Sequence, residues 1–141
     1  MKFRIVAVGR VKSGPEKDLV DEYVGRLKRY CACELVELKH NDGERMLREA
    51  SGATLIALDA AGEAPDSRGF ARLIERYASH GKGVIAFVIG GAEGLPTQVR
   101  QAAHATWSLS ALTLPHRLAR VVLAEQLYRA MTILRGEPYD K

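Results

Sequence analysis

Strand-like and helix-like segments alternate along the whole chain, and this alternation restricts its fold more than any other feature. The clearest strand is the run 84–89, which contains no polar side chain and is typical of a central parallel strand covered on both faces. Residues 3–8, 33–38, 53–58 and 107–109 are predicted as the other strands. Because helical segments separate them, the sequence predicts an α/β fold with a mostly parallel sheet flanked by helices.

Five segments with helical spacing or helix-start signals lie between and after these strands. In the third segment, apolar residues recur at i, i+3, i+4 and i+7 from Phe70 to Tyr77, which places them on one helix face. The predicted helices run from Pro15 to Tyr30, over 42–50, from Asp66 or Ser67 to Tyr77, over 96–105 and over 115–135. A chain of 141 residues without a repeat or linker fits a single domain, 1–141.

Composition excludes several other classes of protein. Hydrophobic residues make up 47% of the chain and charged residues 27%, a balance that excludes a disordered chain. No apolar run approaches the roughly 18 to 20 residues that a membrane-spanning helix needs. The amino terminus carries Arg4 inside its first apolar stretch and lacks the pattern of a secretory signal peptide. We therefore expect a cytoplasmic protein without a membrane partner.

The cysteines and histidines do not form a metal-binding pattern. Cys31 and Cys33 lie two residues apart, too far to pair easily along one strand, and a C-x-C without further ligands is not a zinc site. The histidines have no ligand spacing; they are His40, His80, His104 and His116. We expect free thiols in a reducing compartment and no metal.

The last predicted helix is apolar over far more than one face. Its polar residues, such as Glu125, Arg129 and Thr132, form only a narrow stripe. One sheet covers one side of a helix, so the remaining apolar side chains need a second surface. Burial within the monomer is one explanation, but so short a chain has little material to provide it. The helix therefore predicts self-association, most simply as a homodimer.

Basic residues fall mainly at the two ends of the chain. Lys and Arg number 21 against 17 Asp and Glu, for a net charge of +4, and residues 1–30 hold eight basic and four acidic residues. Further arginines follow near the carboxyl terminus, among them Arg117, Arg120 and Arg129. If the two regions meet across a dimer, they form one surface for an anionic partner. Ordinary surface charge is the alternative.

Three loops that follow predicted strands are candidates for a ligand site, because open parallel sheets bind ligands at the carboxyl ends of their strands. The first is 58–62. The second, 90–96, has three glycines in five residues, which permits close backbone approach to a ligand, although a plain tight turn explains it equally well. The third, 108–116, offers backbone groups for a flat heterocycle such as adenine; a loop packed against the core is the alternative.

Several of these segments also form an ordered set of motifs. The most specific are residues 107–116, the pair Arg120-Val121 followed by 124–130, and the terminal Pro138-Tyr139. With them, and over essentially its whole length, the chain resembles the bacterial family of 23S ribosomal RNA methyltransferases that modify N3 of pseudouridine 1915, a branch of the SPOUT superfamily. It departs from the family pattern at Ala92, where a proline is usual, and at Asp140, where a histidine commonly follows the tyrosine.

The resemblance implies a fold and a cofactor that spacing alone does not. The fold would be a SPOUT-type α/β knot, in which the carboxyl-terminal segment passes through a loop to form a trefoil knot. The cofactor would be S-adenosylmethionine. By similarity its binding residues are Leu58, Gly90, Gly91, Leu109, Ser110, Ala111, Leu112, Thr113, Leu114 and Pro115.

The resemblance also implies partners and a reaction. The protein would act as a homodimer on the 23S RNA of the assembled 70S ribosome, with the target base entering at the dimer interface. Methyl transfer by in-line displacement needs alignment of the reacting atoms and loss of the N3 proton. Candidate catalytic residues are Glu93, His116, Arg129 and Tyr139, and candidate RNA contacts are Arg117, Arg120 and Arg129. Two alternatives stay open: a SPOUT-type methyltransferase for another RNA, and a non-catalytic RNA- or nucleotide-binding domain.

Overall fold

A computed structural model describes residues 1–80 and 83–140 as alternating strands and helices. The strands are β1 (Lys2–Val8), β2 (Ala32–Leu38), β3 (Thr54–Glu63), β4 (Val84–Ile89) and β5 (Ala105–Trp107). The helices are α1 (Pro15–Leu27), α2 (Gly43–Glu49), α3 (Ser67–His80), α4 (Thr97–Ala102) and α5 (His116–Leu134), followed by a 3-10 turn over Pro138–Asp140.

The five strands form one sheet in the order β2-β1-β4-β3-β5, and every strand pair in it is parallel. The apolar strand β4 lies in the middle, and β2 lies at an edge. The predicted α/β fold with a parallel sheet flanked by helices is therefore confirmed.

The two faces of the sheet pack against different sets of helices. Ile85, Phe87 and Ile89 of β4 point into a core shared with α1, α3 and α5. The alternate residues Ala86 and Val88 point into a second core with α2 and α4. Because successive strand residues face opposite sides, the uninterrupted apolar run of β4 supplies both cores at once.

Element boundaries near the carboxyl end of β3 differ from those predicted. Strand β3 continues to Glu63, and Leu58 and Glu63 both pair with Trp107, so that residues 59–62 bulge out of the sheet. Gly62 permits this bulge, since a Cβ there would lie 2.6 Å from the Thr106 carbonyl oxygen. Strand β5 ends at Trp107, although the Ser108 amide still donates to the Glu63 carbonyl of β3 at 2.6 Å.

Helix α5 is buried by its own chain, contrary to the expectation that a single chain has too little material to cover it. Leu123, Leu127 and Met131 are inaccessible to solvent, because they pack in the core that α5 shares with α1 and α3. Leu118, near the start of α5, keeps 44% of its surface exposed. The apolar character of α5 therefore gives no independent support for a homodimer, which stays a prediction from the family resemblance.

Both cysteines are free thiols of intermediate exposure. Burial raises the pKa of Cys33 to about 12, which keeps this thiol protonated and unreactive at neutral pH. Within residues 1–80 and 83–140, no cluster of possible metal ligands occurs. In the same part of the chain, no helix is both long and apolar enough to cross a membrane.

Candidate functional site

A cavity of about 430 Å³ opens at the carboxyl edge of the sheet. Its size lies within the range of small-molecule sites, about 300 to 1,000 Å³. Three segments at the carboxyl ends of β3, β4 and β5 form its walls: residues 58–60, residues 89–95 without Glu93, and residues 108–116 without Ala111, together with Ala119 of α5. The three loops that the sequence singled out thus meet at one site.

The glycine loop closes one wall by backbone packing that only glycine permits. A Cβ on Gly90 would lie 2.6 Å from the carbonyl carbon and oxygen of Gly94. The Gly94 amide donates to the Gly91 carbonyl at 3.0 Å, and Gly94 has a φ of +80°, which favours glycine. The loop is both a tight turn and a cavity wall, so the two interpretations of residues 90–96, a tight turn and part of a ligand site, are compatible.

The opposite wall, residues 108–115, is shaped by side-chain hydrogen bonds. The Ser108 hydroxyl donates to the Ser110 carbonyl at 2.7 Å, and the Leu112 amide donates to the Ser110 hydroxyl at 2.9 Å. Across residues 1–80 and 83–140, no amide of residues 109–114 donates to a backbone carbonyl. Because the Ser110 and Leu112 amides donate to hydroxyls, the amides of Leu109, Ala111, Thr113 and Leu114 are the ones that have no partner among the described residues and can serve a ligand.

The cavity carries little charge. Asp59 and His116 are the titratable residues in its wall. Asp59 lies 3.6 Å from the Arg100 guanidinium and accepts a hydrogen bond from the Ala61 amide at 2.9 Å. Its carboxylate is thus partly balanced, and among the described residues the wall contains no lysine or arginine that would repel a cationic ligand.

Nine of the ten residues predicted to bind the cofactor line this cavity; the exception, Ala111, is exposed outside the wall. Asp59, Ser108 and Ala119 also line it, although they were not among the predicted site residues. Two of them adjoin predicted residues, and Ala119 lies three residues after His116 on one helix face. Loop position and helical spacing were therefore signals that could have found them.

The four predicted catalytic residues do not lie together within one chain. His116 lines the cavity. Glu93 is exposed at the tip of the glycine turn, outside the cavity wall. Arg129 follows His116 by thirteen residues, which separates them by about 20 Å along α5. Tyr139 lies against this distant part of the helix.

Arg129 and Tyr139 belong to a network that fastens the carboxyl terminus to α5. The Arg129 guanidinium donates to Glu125 at 2.8 Å and to Asp140 at 3.0 Å. The Tyr139 hydroxyl donates to Glu125 at 2.7 Å, and the Tyr139 ring packs edge-on against Tyr128. Burial and the bond to Glu125 raise the pKa of Tyr139, so its hydroxyl stays protonated at neutral pH.

Arg120 is a structural residue, which corrects its predicted role as an RNA contact. Its side chain is 3% exposed. The guanidinium donates to the Val8 carbonyl at 2.8 Å, to the Gly9 carbonyl and to Glu37 at 2.6 Å. Arg120 therefore ties the start of α5 to the ends of β1 and β2. Arg117, one turn earlier, is exposed.

The parallel sheet and its carboxyl-edge cavity define the class of an α/β protein with a small-molecule site at the strand ends. Within this class, the family model described as "Predicted SPOUT methyltransferase" matches residues 1–140. The chain therefore belongs to the SPOUT methyltransferase family. The predicted family and enzyme class are confirmed, while the trefoil knot stays a prediction.

Two proteins that are similar to this chain over their full length have the same name. "Ribosomal RNA large subunit methyltransferase H" of Sorangium cellulosum is 53% identical over 143 residues, which cover 99% of each chain. The protein of the same name from an Anaeromyxobacter species is 47% identical over 154 residues, with full coverage of both chains. Full coverage shows that the likeness extends beyond the cavity motifs.

Solved structures share the fold at low sequence identity. A probable methylase family protein from Haemophilus influenzae matches with a TM-score of 0.62 at 14% identity, over 99% of this chain and 70% of its own. A probable methyltransferase from Bordetella pertussis matches with a TM-score of 0.58 at 14% identity, over 92% of this chain and 95% of its own. At this identity the likeness concerns the fold alone.

Replacement of Arg120 by Met should destabilise the protein, because it removes the cation paired with the half-buried Glu37 and the donor to the Val8 and Gly9 carbonyls. We expect a loss of about 1–3 kcal/mol in the free energy of unfolding, measured by urea denaturation. Arg117→Met, on the exposed side of the same helix, should change it by less than about 0.5 kcal/mol. Equal stability of the two variants would contradict the structural role.

Proposed function

We propose that this chain is an S-adenosylmethionine-dependent methyltransferase that methylates N3 of pseudouridine 1915 in the 23S RNA of the assembled ribosome. The observation that carries the proposal is the weakly charged cavity at the carboxyl edge of the sheet, in a chain of the SPOUT methyltransferase family. The names of the similar proteins support ribosomal RNA as the substrate.

The residues present fit the cofactor. A Cβ on Gly90 would displace the Gly94 backbone in the cavity wall, and residues 109–114 offer main-chain groups for the edge of an adenine. A sulfonium cation meets no lysine or arginine in the wall. When bound, S-adenosylmethionine supplies a methyl group already activated by the positive sulfur.

The chain's own residues then have two tasks. The first is to hold the target base so that N3 lies in line with the methyl group. The cavity walls achieve this by orienting the base. The second is to accept the N3 proton. We assign this task to His116, the predicted catalytic residue that lines the cavity, acting directly or through a water molecule.

Within one chain, Arg129 and Tyr139 lie about 20 Å along α5 from His116. If they act at the cavity, a second chain of a homodimer has to supply them. In this proposal the partner chain presents its Arg129–Tyr139 network at the mouth of the cavity. Leu112, which lines the mouth with 76% of its surface exposed, and Leu118 supply apolar surface for such a contact.

Ribosomes from cells that lack this gene should accept one methyl group per particle at N3 of pseudouridine 1915. We expect mass-spectrometric mapping to find it after incubation with the protein and S-adenosylmethionine. Free 23S RNA and transfer RNA serve as comparison substrates and should be labelled poorly, because the ribosome positions the base. Equal labelling of transfer RNA would favour a methyltransferase for another RNA.

Gly90→Ala should weaken binding of S-adenosylmethionine by tenfold or more, because the new Cβ displaces the backbone of Gly94 in the cavity wall. Isothermal titration calorimetry measures this loss. Gly25→Ala is the matched control, since a Cβ there meets open space within 4 Å. If the wild-type protein itself gives no binding, the non-catalytic alternative gains and the enzyme proposal fails.

Mixing two inactive variants tests whether the partner chain completes the site. In a dimer of one His116→Ala chain and one Arg129→Ala chain, one of the two sites has both residues intact. Random mixing should therefore restore about a quarter of the wild-type methylation rate. No recovery after verified subunit exchange, or a monomeric mass by light scattering at micromolar concentration, would overturn the shared site.

A further inference from the structure

Four exposed basic side chains gather beside the cavity, and we call them the basic rim: Arg10, Lys12, Lys39 and Arg117. Arg10 and Lys12 follow β1, Lys39 follows β2, and Arg117 lies in the first turn of α5. Among residues 1–80 and 83–140, none of the four forms a salt bridge. Their charges are therefore available to a partner.

Hydrogen bonds place the first three of these side chains at one corner of the sheet. The Gly9 amide donates to the Leu38 carbonyl at 2.7 Å, and the Val11 amide donates to Glu37 at 2.9 Å. The loop after β1 thus runs along the end of β2. Arg10 and Lys12 flank Val11, and Lys39 directly follows Leu38.

Arg117 joins this corner from α5. Together with Val11 and Glu37 it lines a small crevice of about 70 Å³. Arg120 beneath it holds Glu37 inward, so this carboxylate is already paired with a cation. Of the α1 acids in the crevice, Asp21 is paired with Lys17, and Glu16 is the remaining negative charge.

The basic rim begins where the cavity ends. Arg117 directly follows His116, which lines the cavity. On the other side, a Cβ on Gly91 would lie 3.3 Å from Cγ1 of Val8, so the glycine loop packs against the end of β1 that leads to Arg10. An RNA strand that delivers a base into the cavity must carry its phosphates across the neighbouring surface.

We propose that the basic rim binds the phosphate groups of the nucleotides that flank the target base. This inference rests on the proposed function, since it takes the cavity as the place of the reacting base. It extends the RNA surface from Arg117 to Arg10, Lys12 and Lys39. It also needs no second chain, because the basic residues of both chain ends already meet within one molecule.

The test compares two triple variants of equal charge in the full chain. One carries Arg10→Gln, Lys12→Gln and Lys39→Gln in the basic rim. The other carries Lys28→Gln, Arg48→Gln and Arg72→Gln, three exposed residues that line none of the cavities described above. Binding to unmethylated ribosomes is measured by cosedimentation at 50 and 200 mM salt, and S-adenosylmethionine binding by calorimetry.

Loss of three phosphate contacts should lower the slope of log affinity against log salt by about 2 and weaken ribosome binding at 50 mM salt by tenfold or more. Binding of S-adenosylmethionine should stay within twofold of wild type. The control should match wild type in both measurements. Equal effects of the two triple variants, or ribosome binding by the rim variant within twofold of wild type, would overturn the proposal.

The outcomes also separate this inference from the function on which it rests. If the rim substitutions weaken ribosome binding but the wild-type protein transfers no methyl group to the ribosome, the proposed reaction is rejected and the phosphate-binding role of the basic rim is supported. If the rim variant transfers methyl groups to the ribosome as well as wild type does, the proposed reaction is supported and the phosphate-binding role of the basic rim is rejected. A wild-type protein that neither binds nor methylates ribosomes would reject both.

Discussion

The buried guanidinium of Arg120 is the interaction on which the carboxyl edge of the sheet depends. It joins the end of β1, the edge strand β2 and the first turns of α5 through bonds to Val8, Gly9 and Glu37. These elements hold one side of the cavity and the whole basic rim. Burying an arginine is costly unless its donors are satisfied. Two main-chain carbonyls and one carboxylate accept from the terminal nitrogens of Arg120, while its Nε is buried without a partner among the described residues.

Much of this architecture follows from local sequence, and the rest depends on long-range contacts. The apolar run 84–89 identified the central strand because β4 is covered on both faces. The glycines and the segment 108–116 marked the cavity because parallel strands bring their carboxyl ends to one edge. The burial of Arg120 could not be read from its helix, since its partners lie 83 to 112 residues away. The bulge at 59–62 depends in the same way on contact with Thr106.

The cavity wall and the surface beside it differ in charge. The cavity wall is weakly charged and built largely from main chain and small side chains, which suits a ligand that is itself cationic. The surplus of basic residues, net +4 over the chain, lies outside it, where an anionic polymer has room to bind. Keeping cations out of the cavity and at its margin lets one small domain receive two ligands of opposite charge.

The sheet has two edges, and the structure protects both of them. Strand β2 carries Glu34 and Glu37 along one edge, bound to Arg4 and Arg120, and β5 at the other edge has only three residues. Charged or very short edge strands are poor templates for the addition of a strand from another chain. Association of a second copy by strand pairing at either edge of the sheet is therefore disfavoured relative to association through helices and loops.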